Sequence, residues 1–308
     1  MNGFAQFSEY GGTYYDNQSG QTGVIITYNT NPNLSNIGAQ MDAQMAANAA
    51  AAASHVPVQP VIPPPTGWIS TPSTPNTPPT PITPPDPCAA AAKSDLKTSN
   101  AILAAQNASI KTQSTTNEFG AEQNLTTFPV TATPNYKNIA VRSSGSTSAF
   151  TPNFTWDATN GYTVGVSHGH PANGAPSPAD LVYAYRNLSN PQLVAAGQAA
   201  IDYYKANFTI SVVTQNEIYT INVKDWTALG TLYNAYQANP TAANTAWVNE
   251  GSSYATAHPG ASYGDITTYP GLKLYGSAVT ITKKDNATVK SSPMKVDAAG
   301  NVVKTPCP

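Results

Sequence analysis

The chain has 308 residues, of which only 10% are charged and 27 are proline. Two domains would fit in that length, but so little charge and so much proline predict that part of the chain does not fold on its own. A formal charge of −2 and a pI near 6.0 leave no electrostatic footprint for nucleic acid, and no apolar run is long enough for an integral membrane helix.

The N-terminus lacks the basic start and apolar core of a secretory signal. The low Lys content with abundant Asn, Thr, Ser and Tyr nevertheless resembles that of exported bacterial surface proteins. Residues 1–55 read as a low-complexity region that is mostly disordered: one possible strand near Ile25 cannot bury a core, and the Ala-rich stretch around Met41 and Met45 is a marginal helix without neighbours. Residues 56–87 are a Pro-rich linker. Runs such as Pro63-Pro64-Pro65 favour polyproline II, which has no internal hydrogen bonds and acts as an extended spacer or as a ligand for an aromatic groove.

Residues 88–308 form the expected folded domain, an α/β arrangement with a mixed sheet flanked by helices. Cys88 and Cys307 bracket it and could tie its ends together in one disulfide or remain free thiols; without a Cys-x-x-Cys partner they do not suggest a metal site. Residues 89–113 have helical character, weakened by Asn100, Asn107 and Ser109. Residues 118–130 and 136–141 look extended, and 154–163 lead into a strand that ends at His170. Side chains alternate along a strand, so His168 and His170 share a face.

Pro171 stops that strand, and a run of small residues turns the chain towards a clearly marked helix start. Ser177 suits the N-cap, Pro178 the first helical position, and Asp180 the first turn, where its charge is favoured by the helix dipole. Leu181, Val182, Tyr185 and Leu188 recur at helical spacing. A second helix is expected over 191–206. Strands at 208–213 and 218–223 follow, joined by a hairpin at Gln215-Asn216. A helix opens at Asp225-Trp226, and a short one is expected over 241–249. Residues 272–275 and 278–283 read as late strands, and Asp297 to Asn301 as the turn of a polar hairpin.

Two imidazoles and a carboxylate converging from a strand end and a helix start make a ligand set for Zn²⁺ that leaves a fourth position open. The motif His168-Gly-His170-Pro171 followed by Ser177-Pro-Ala-Asp180 resembles the signature of the JAMM (JAB/MPN) zinc metallopeptidases, including bacterial JAB-like domains. Five residues separate Pro171 from Ser177, where that family commonly has six.

The resemblance implies a JAB/MPN, cytidine-deaminase-like fold and a hydrolase that cleaves an amide bond in a peptide or protein substrate. It assigns His168, His170 and Asp180 to zinc, Ser177 to the oxyanion, and general acid/base work to an upstream Glu. Glu118, in Glu118-Phe-Gly120, matches the family's Glu-aromatic-Gly pattern; Glu122 lies on the same strand face and remains an alternative. A non-catalytic MPN-like binding or secretion-associated module is the competing expectation. Of the remaining histidines, His55 falls in the low-complexity region, and His258 lies in a Gly/Pro loop, either as an ordinary surface residue or as part of a substrate groove.

Overall fold

In the computed structural model the described residues are 86–131, 133–147, 149–285 and 290–307. The proposed low-complexity region, His55 and nearly all of the Pro-rich linker lie outside them. Two helices open the described chain, α1 (Pro87–Thr98) and α2 (Ala101–Gln113). The sequence suggested one helix here; Asn100 breaks it, because its side chain accepts from the N–H groups of Ile102 and Leu103 and caps α2.

The strands are β1 (Phe119–Leu125), β2 (Arg142–Ser143), β3 (Trp156–Asp157), β4 (Gly161–Gly169), β5 (Thr209–Val213), β6 (Glu217–Val223), β7 (Val279–Asp285), β8 (Ser292–Val296) and β9 (Val302–Lys304). Their order in the sheet is β2-β1-β4-β5-β6-β7-β8-β9, with β3 also on β4. The β4/β5 pair is parallel and the other pairings among the described residues are antiparallel, so the sheet is mixed. The crossover between β4 and β5 carries α3 (Pro178–Arg186), a 3₁₀ turn, α4 (Pro191–Ala195) and α5 (Gln198–Asn207). The helix expected over 191–206 is thus two, divided at Gly197, whose φ of 85° suits glycine.

Three more helices follow: α6 (Trp226–Ala238), α7 (Pro240–Ala257) and α8 (Tyr263–Tyr275). The helix expected over 241–249 is twice as long as anticipated. Residues 272–275, expected as a strand, are the last turn of α8. Ser262 caps that helix by accepting from the Asp265 N–H, and tertiary packing of Ile266, Gly271 and Tyr275 overrides the local β-like pattern. The extended stretch expected over 118–130 ends at Leu125, and the one over 136–141 reduces to a single bridge between Tyr136 and Leu125. The hairpins at Gln215-Asn216 and Asp297–Asn301 are present.

Register divides the sheet into two unlike faces, because residues opposite one another point the same way. One carries Val164, Val166 and His168 of β4, Ile210 and Val212 of β5, Tyr219 and Ile221 of β6, and Val279 and Ile281 of β7. The crossover and C-terminal helices cover it, and Leu181, Leu193, Tyr204, Leu229 and Ile266 complete an apolar core. The other face presents Gln123, Thr163, Ser167, Thr209, Ser211, Thr220, Asn222 and Thr282, all buried, beneath α1 and α2. A disulfide joins Cys88 in the first turn of α1 to Cys307, with a Cα–Cα distance of 5.6 Å. No helix among the described residues is long and apolar enough to cross a membrane.

Candidate metal centre

Strand pairing creates the site. Gly120 of β1 lies opposite His168 of β4, so continuing the register sets Glu118 opposite His170 on the same face. The His170 N–H donates to Val213 O at 3.0 Å, which prolongs the parallel β4/β5 ladder by one residue beyond the strand end. The two imidazoles therefore stand at the carboxyl end of β4, where open α/β sheets place ligand sites.

The loop from Pro171 to Pro176 returns the chain to α3. Its Asn173 adopts φ 60° and accepts from the Gln215 N–H at 2.8 Å, fastening the loop to the β5/β6 turn. Ser177 and Asp180 form a reciprocal capping box: Ser177 Oγ accepts from the Asp180 N–H, and the Ser177 N–H and hydroxyl both donate to Asp180 Oδ2 at 2.8 Å. That fixes the carboxylate with Oδ1 turned towards His168.

Four side chains meet there. His168 Nε2 is 3.1 Å from His170 Nε2 and 3.2 Å from Asp180 Oδ1; His170 Nε2 is 3.5 Å from Asp180 Oδ2 and 3.8 Å from Glu118 Oε1. A tetrahedral ion with bonds of about 2.0–2.1 Å has ligand atoms about 3.3 Å apart, close to the shorter of these separations. Glu118, His168 and His170 are all buried, and their ligand atoms lie within 4.8 Å of one another, so this group could hold a metal ion. Glu118 Oε1 is buried without a hydrogen-bond partner, an atom whose desolvation an ion would offset. His170 Nδ1 lies 3.1 Å from Gly174 O; donating there leaves Nε2 as the lone-pair nitrogen, aimed into the cluster.

The two carboxyls and His170 shift in proton affinity through burial and through one another. Burial pushes the Glu118 carboxyl up, an effect that the Asp180 charge reinforces and the two histidines and the Phe150 N–H oppose. Burial would also raise Asp180, but the charges and hydrogen bonds of His168 and His170 hold it well below the usual carboxylate range. For His170 burial works downward; hydrogen bonding to Asp180 and the Glu118 and Asp180 charges outweigh it and lift the imidazole to about 9.

All five sequence candidates come together, but with different partners. His168, His170 and Asp180 face one another. Glu118 lies just before β1, opposite them. Ser177 is buried and its hydroxyl is engaged by Asp180, so it visibly orients the Asp180 carboxylate. Glu122, the alternative base, accepts from Arg142 Nη1 and Nη2 at 2.8 and 2.5 Å and from the Asn153 N–H at 2.5 Å. It is occupied elsewhere. His258 stacks on Tyr254 with ring centroids 4.2 Å apart.

Sequence reasoning missed Phe150, whose ring stacks on His168 with the planes 15° apart and whose N–H donates to the Glu118 carboxylate. Gly120 makes the space: a Cβ there would fall 2.6 Å from the Phe150 ring and 2.7 Å from Ser167 O. The only prior signal for this contact was that glycine, in Glu118-Phe-Gly120. No protein-family model matches the chain, nor does any curated protein or solved structure, so the meaning of the cluster rests on its geometry.

Proposed function

We propose that the chain is a zinc-dependent hydrolase of amide bonds, a metallopeptidase or isopeptidase whose domain is JAB/MPN-like and whose substrate is a peptide or protein. One observation carries this reading: a buried carboxylate with a free oxygen, Glu118 Oε1, faces two imidazole nitrogens and a held carboxylate at ligand spacing.

His168 Nε2, His170 Nε2 and Asp180 Oδ1 would hold the ion. When bound, Zn²⁺ supplies a Lewis acid that polarises a carbonyl and acidifies water. Glu118 takes the proton of the attacking water on Oε1 and returns it to the leaving amine, a role that its raised proton affinity suits. Ser177 keeps Asp180 in place through the capping box; steadying an oxyanion as well would require its hydroxyl to turn from Asp180 Oδ2. Gly174 O sets the His170 tautomer.

The test is Glu118→Gln. Zinc content of the purified full chain should match wild type by elemental mass spectrometry, while hydrolysis of a mixed-sequence peptide library or an isopeptide-linked dipeptide falls by about 10²–10⁴. Hydrolysis at the wild-type rate would remove Glu118 from the mechanism, and a wild-type protein that takes up no zinc would end the hydrolase reading.

A second reading is favoured by the burial of the cluster and by Glu118 lying 3.8 Å from His170 Nε2. Glu118 would then be a fourth ligand, closing the coordination as in structural zinc sites, and the domain would be a non-catalytic binding or surface module. In that case Glu118→Gln weakens metal binding itself, and no hydrolysis is seen with either protein.

A further inference from the structure

We infer that Phe150 is a displaceable cover that keeps the cluster shut, and that Glu122 is the latch holding the cover down. The inference deepens the proposed metal site by naming how access to it is controlled. It stands on a separate observation: what lies against His168 and Glu118.

Phe150 makes three contacts that engage the cluster or its surroundings. Its ring lies against His168 with centroids 6.4 Å apart, its N–H donates to the Glu118 carboxylate, and the Arg142 guanidinium sits 4.9 Å from the centre of the same ring. The backbone around it adds another, since the Glu118 N–H donates to Ser146 O at 3.0 Å. With this arrangement His168, His170 and Glu118 are 5%, 4% and 2% exposed, too little for a substrate carbonyl to reach Glu118. The hydrogen bond from the Phe150 N–H also occupies part of the carboxylate that the reaction would use. The described contact is therefore a closed state.

The fastening of this cover is local. Among its described residues, the stretch 142–153 has two in regular structure, Arg142 and Ser143, which pair with Gly120 and Phe119. Glu122 grips both of its ends, Arg142 through the guanidinium and Asn153 through the backbone N–H, and Arg142 Nη2 also donates to Thr151 O at 3.3 Å. One buried carboxylate two positions beyond Gly120 thus pins the stretch that carries Phe150. A short stretch held mainly by side-chain contacts and turns rather than by a strand ladder can open locally without global unfolding. Glu122 had no part in the chemistry; as a latch it has one.

Carbethoxylation of histidine by diethyl pyrocarbonate, read peptide by peptide by mass spectrometry, tests this on the metal-free full chain. His258, stacked on Tyr254 far along the sequence, serves as the internal standard. Phe150→Ala should raise the modification rates of His168 and His170 about tenfold relative to His258, as expected when a local closing interaction is lost. Glu122→Gln, which leaves the ring in place, should raise them by a smaller factor and supplies the test if the first variant does not fold. Rates for His168 and His170 within twofold of wild type in the folded variants would overturn the inference. Zinc titration of the same proteins separates the two ideas. Zinc binding with unchanged histidine reactivity defeats the cover alone; faster modification with no zinc uptake by any of the proteins upholds the cover and defeats the metal reading.

Discussion

The two faces of the central sheet solve the problem of burial in opposite ways. On the side of the candidate metal centre, Val164, Val166, Ile210, Val212 and Ile221 pack against helices, and the buried charged groups on it, such as Glu122 and Lys283, are paired with opposite charges. On the other side the strands offer hydroxyls and amides, and the covering helices answer in kind. Ser94 Oγ lies 2.9 Å from Thr282 Oγ1 and accepts from Asn222 Nδ2 at 3.0 Å, and Gln123 Nε2 donates to Ser167 Oγ at 3.0 Å. Lys97 reaches from α1 into this layer and donates to Val164 O, Gln123 Oε1 and Thr209 Oγ1 at 2.6–3.0 Å. Three acceptors saturate the three protons of an ammonium, although burial and the Lys93 charge draw its pKa well below the ordinary value. The difference teaches where each face keeps its unmet demand. Around Lys97 every proton of the ammonium is answered, so the group reads as structural; Asn222 Oδ1 on that face is an unanswered amide oxygen, whereas the unanswered Glu118 Oε1 belongs to a carboxylate facing the His170 imidazole, so it reads as a site.

Substitutions that swap or remove these features sharpen the contrast. The largest stability effect is expected for Lys97→Met, which strips three buried oxygens of their donor and should lower unfolding free energy by about 3–5 kcal/mol in urea melts. Metal uptake by the molecules that remain folded should be unchanged. The reverse pattern is expected for His168→Ala with Asp180→Ala. That protein should lose the zinc-induced rise in stability, about 3 kcal/mol at a hundredfold excess over Kd, while its metal-free melting point falls only by the few degrees that loss of the Asp180 half of the capping box accounts for.

On the side of the histidines the pH response is set by His170. His170 is raised to about 9 from an ordinary value near 6.5, so its contribution is complete below about 6.5 and is lost as the pH climbs through 9. Metal-free protein should therefore lose a few degrees of Tm across that window, an effect absent in His170→Ala. Since zinc displaces that proton, its affinity should increase over the same range. Smallest is Ser177→Ala, which removes one half of the capping box and should cost about 1 kcal/mol. It should also weaken zinc by about tenfold or more, because Asp180 Oδ2 loses a partner.

What the sequence made legible was local. His168 and His170 share a face by the alternation of one strand, and Ser177, Pro178 and Asp180 announce a helix start within four residues; both hold in the structure. Glu118 was reachable only through a three-residue pattern, and what distinguishes it from Glu122 is Arg142 and Asn153, twenty and thirty-one positions away. Nothing near Phe150 in sequence points to His168, since their contact depends on strand pairing and on the missing Cβ of Gly120. The polar face was equally hidden. Its Thr and Ser residues look like ordinary strand formers, and only the sheet register gathers them beneath one lysine. Residues 272–275 misled for a related reason: a short apolar alternation fits strand or helix, and here the cap at Ser262, ten positions earlier, decides.

The alignment of Glu118 with His170 has a consequence for assembly. Sliding β1 by a single position against β4 would carry Glu118 and Gly120 to the opposite surface of the sheet, towards the lysine, and leave the imidazoles without their acidic neighbour. If Glu118 ligates the ion, a chain zipped one notch out of step would bind it more weakly. An ion that prefers the true pairing draws the population towards it by mass action, so the cation would then act as a proofreader of strand alignment before it acts as anything else.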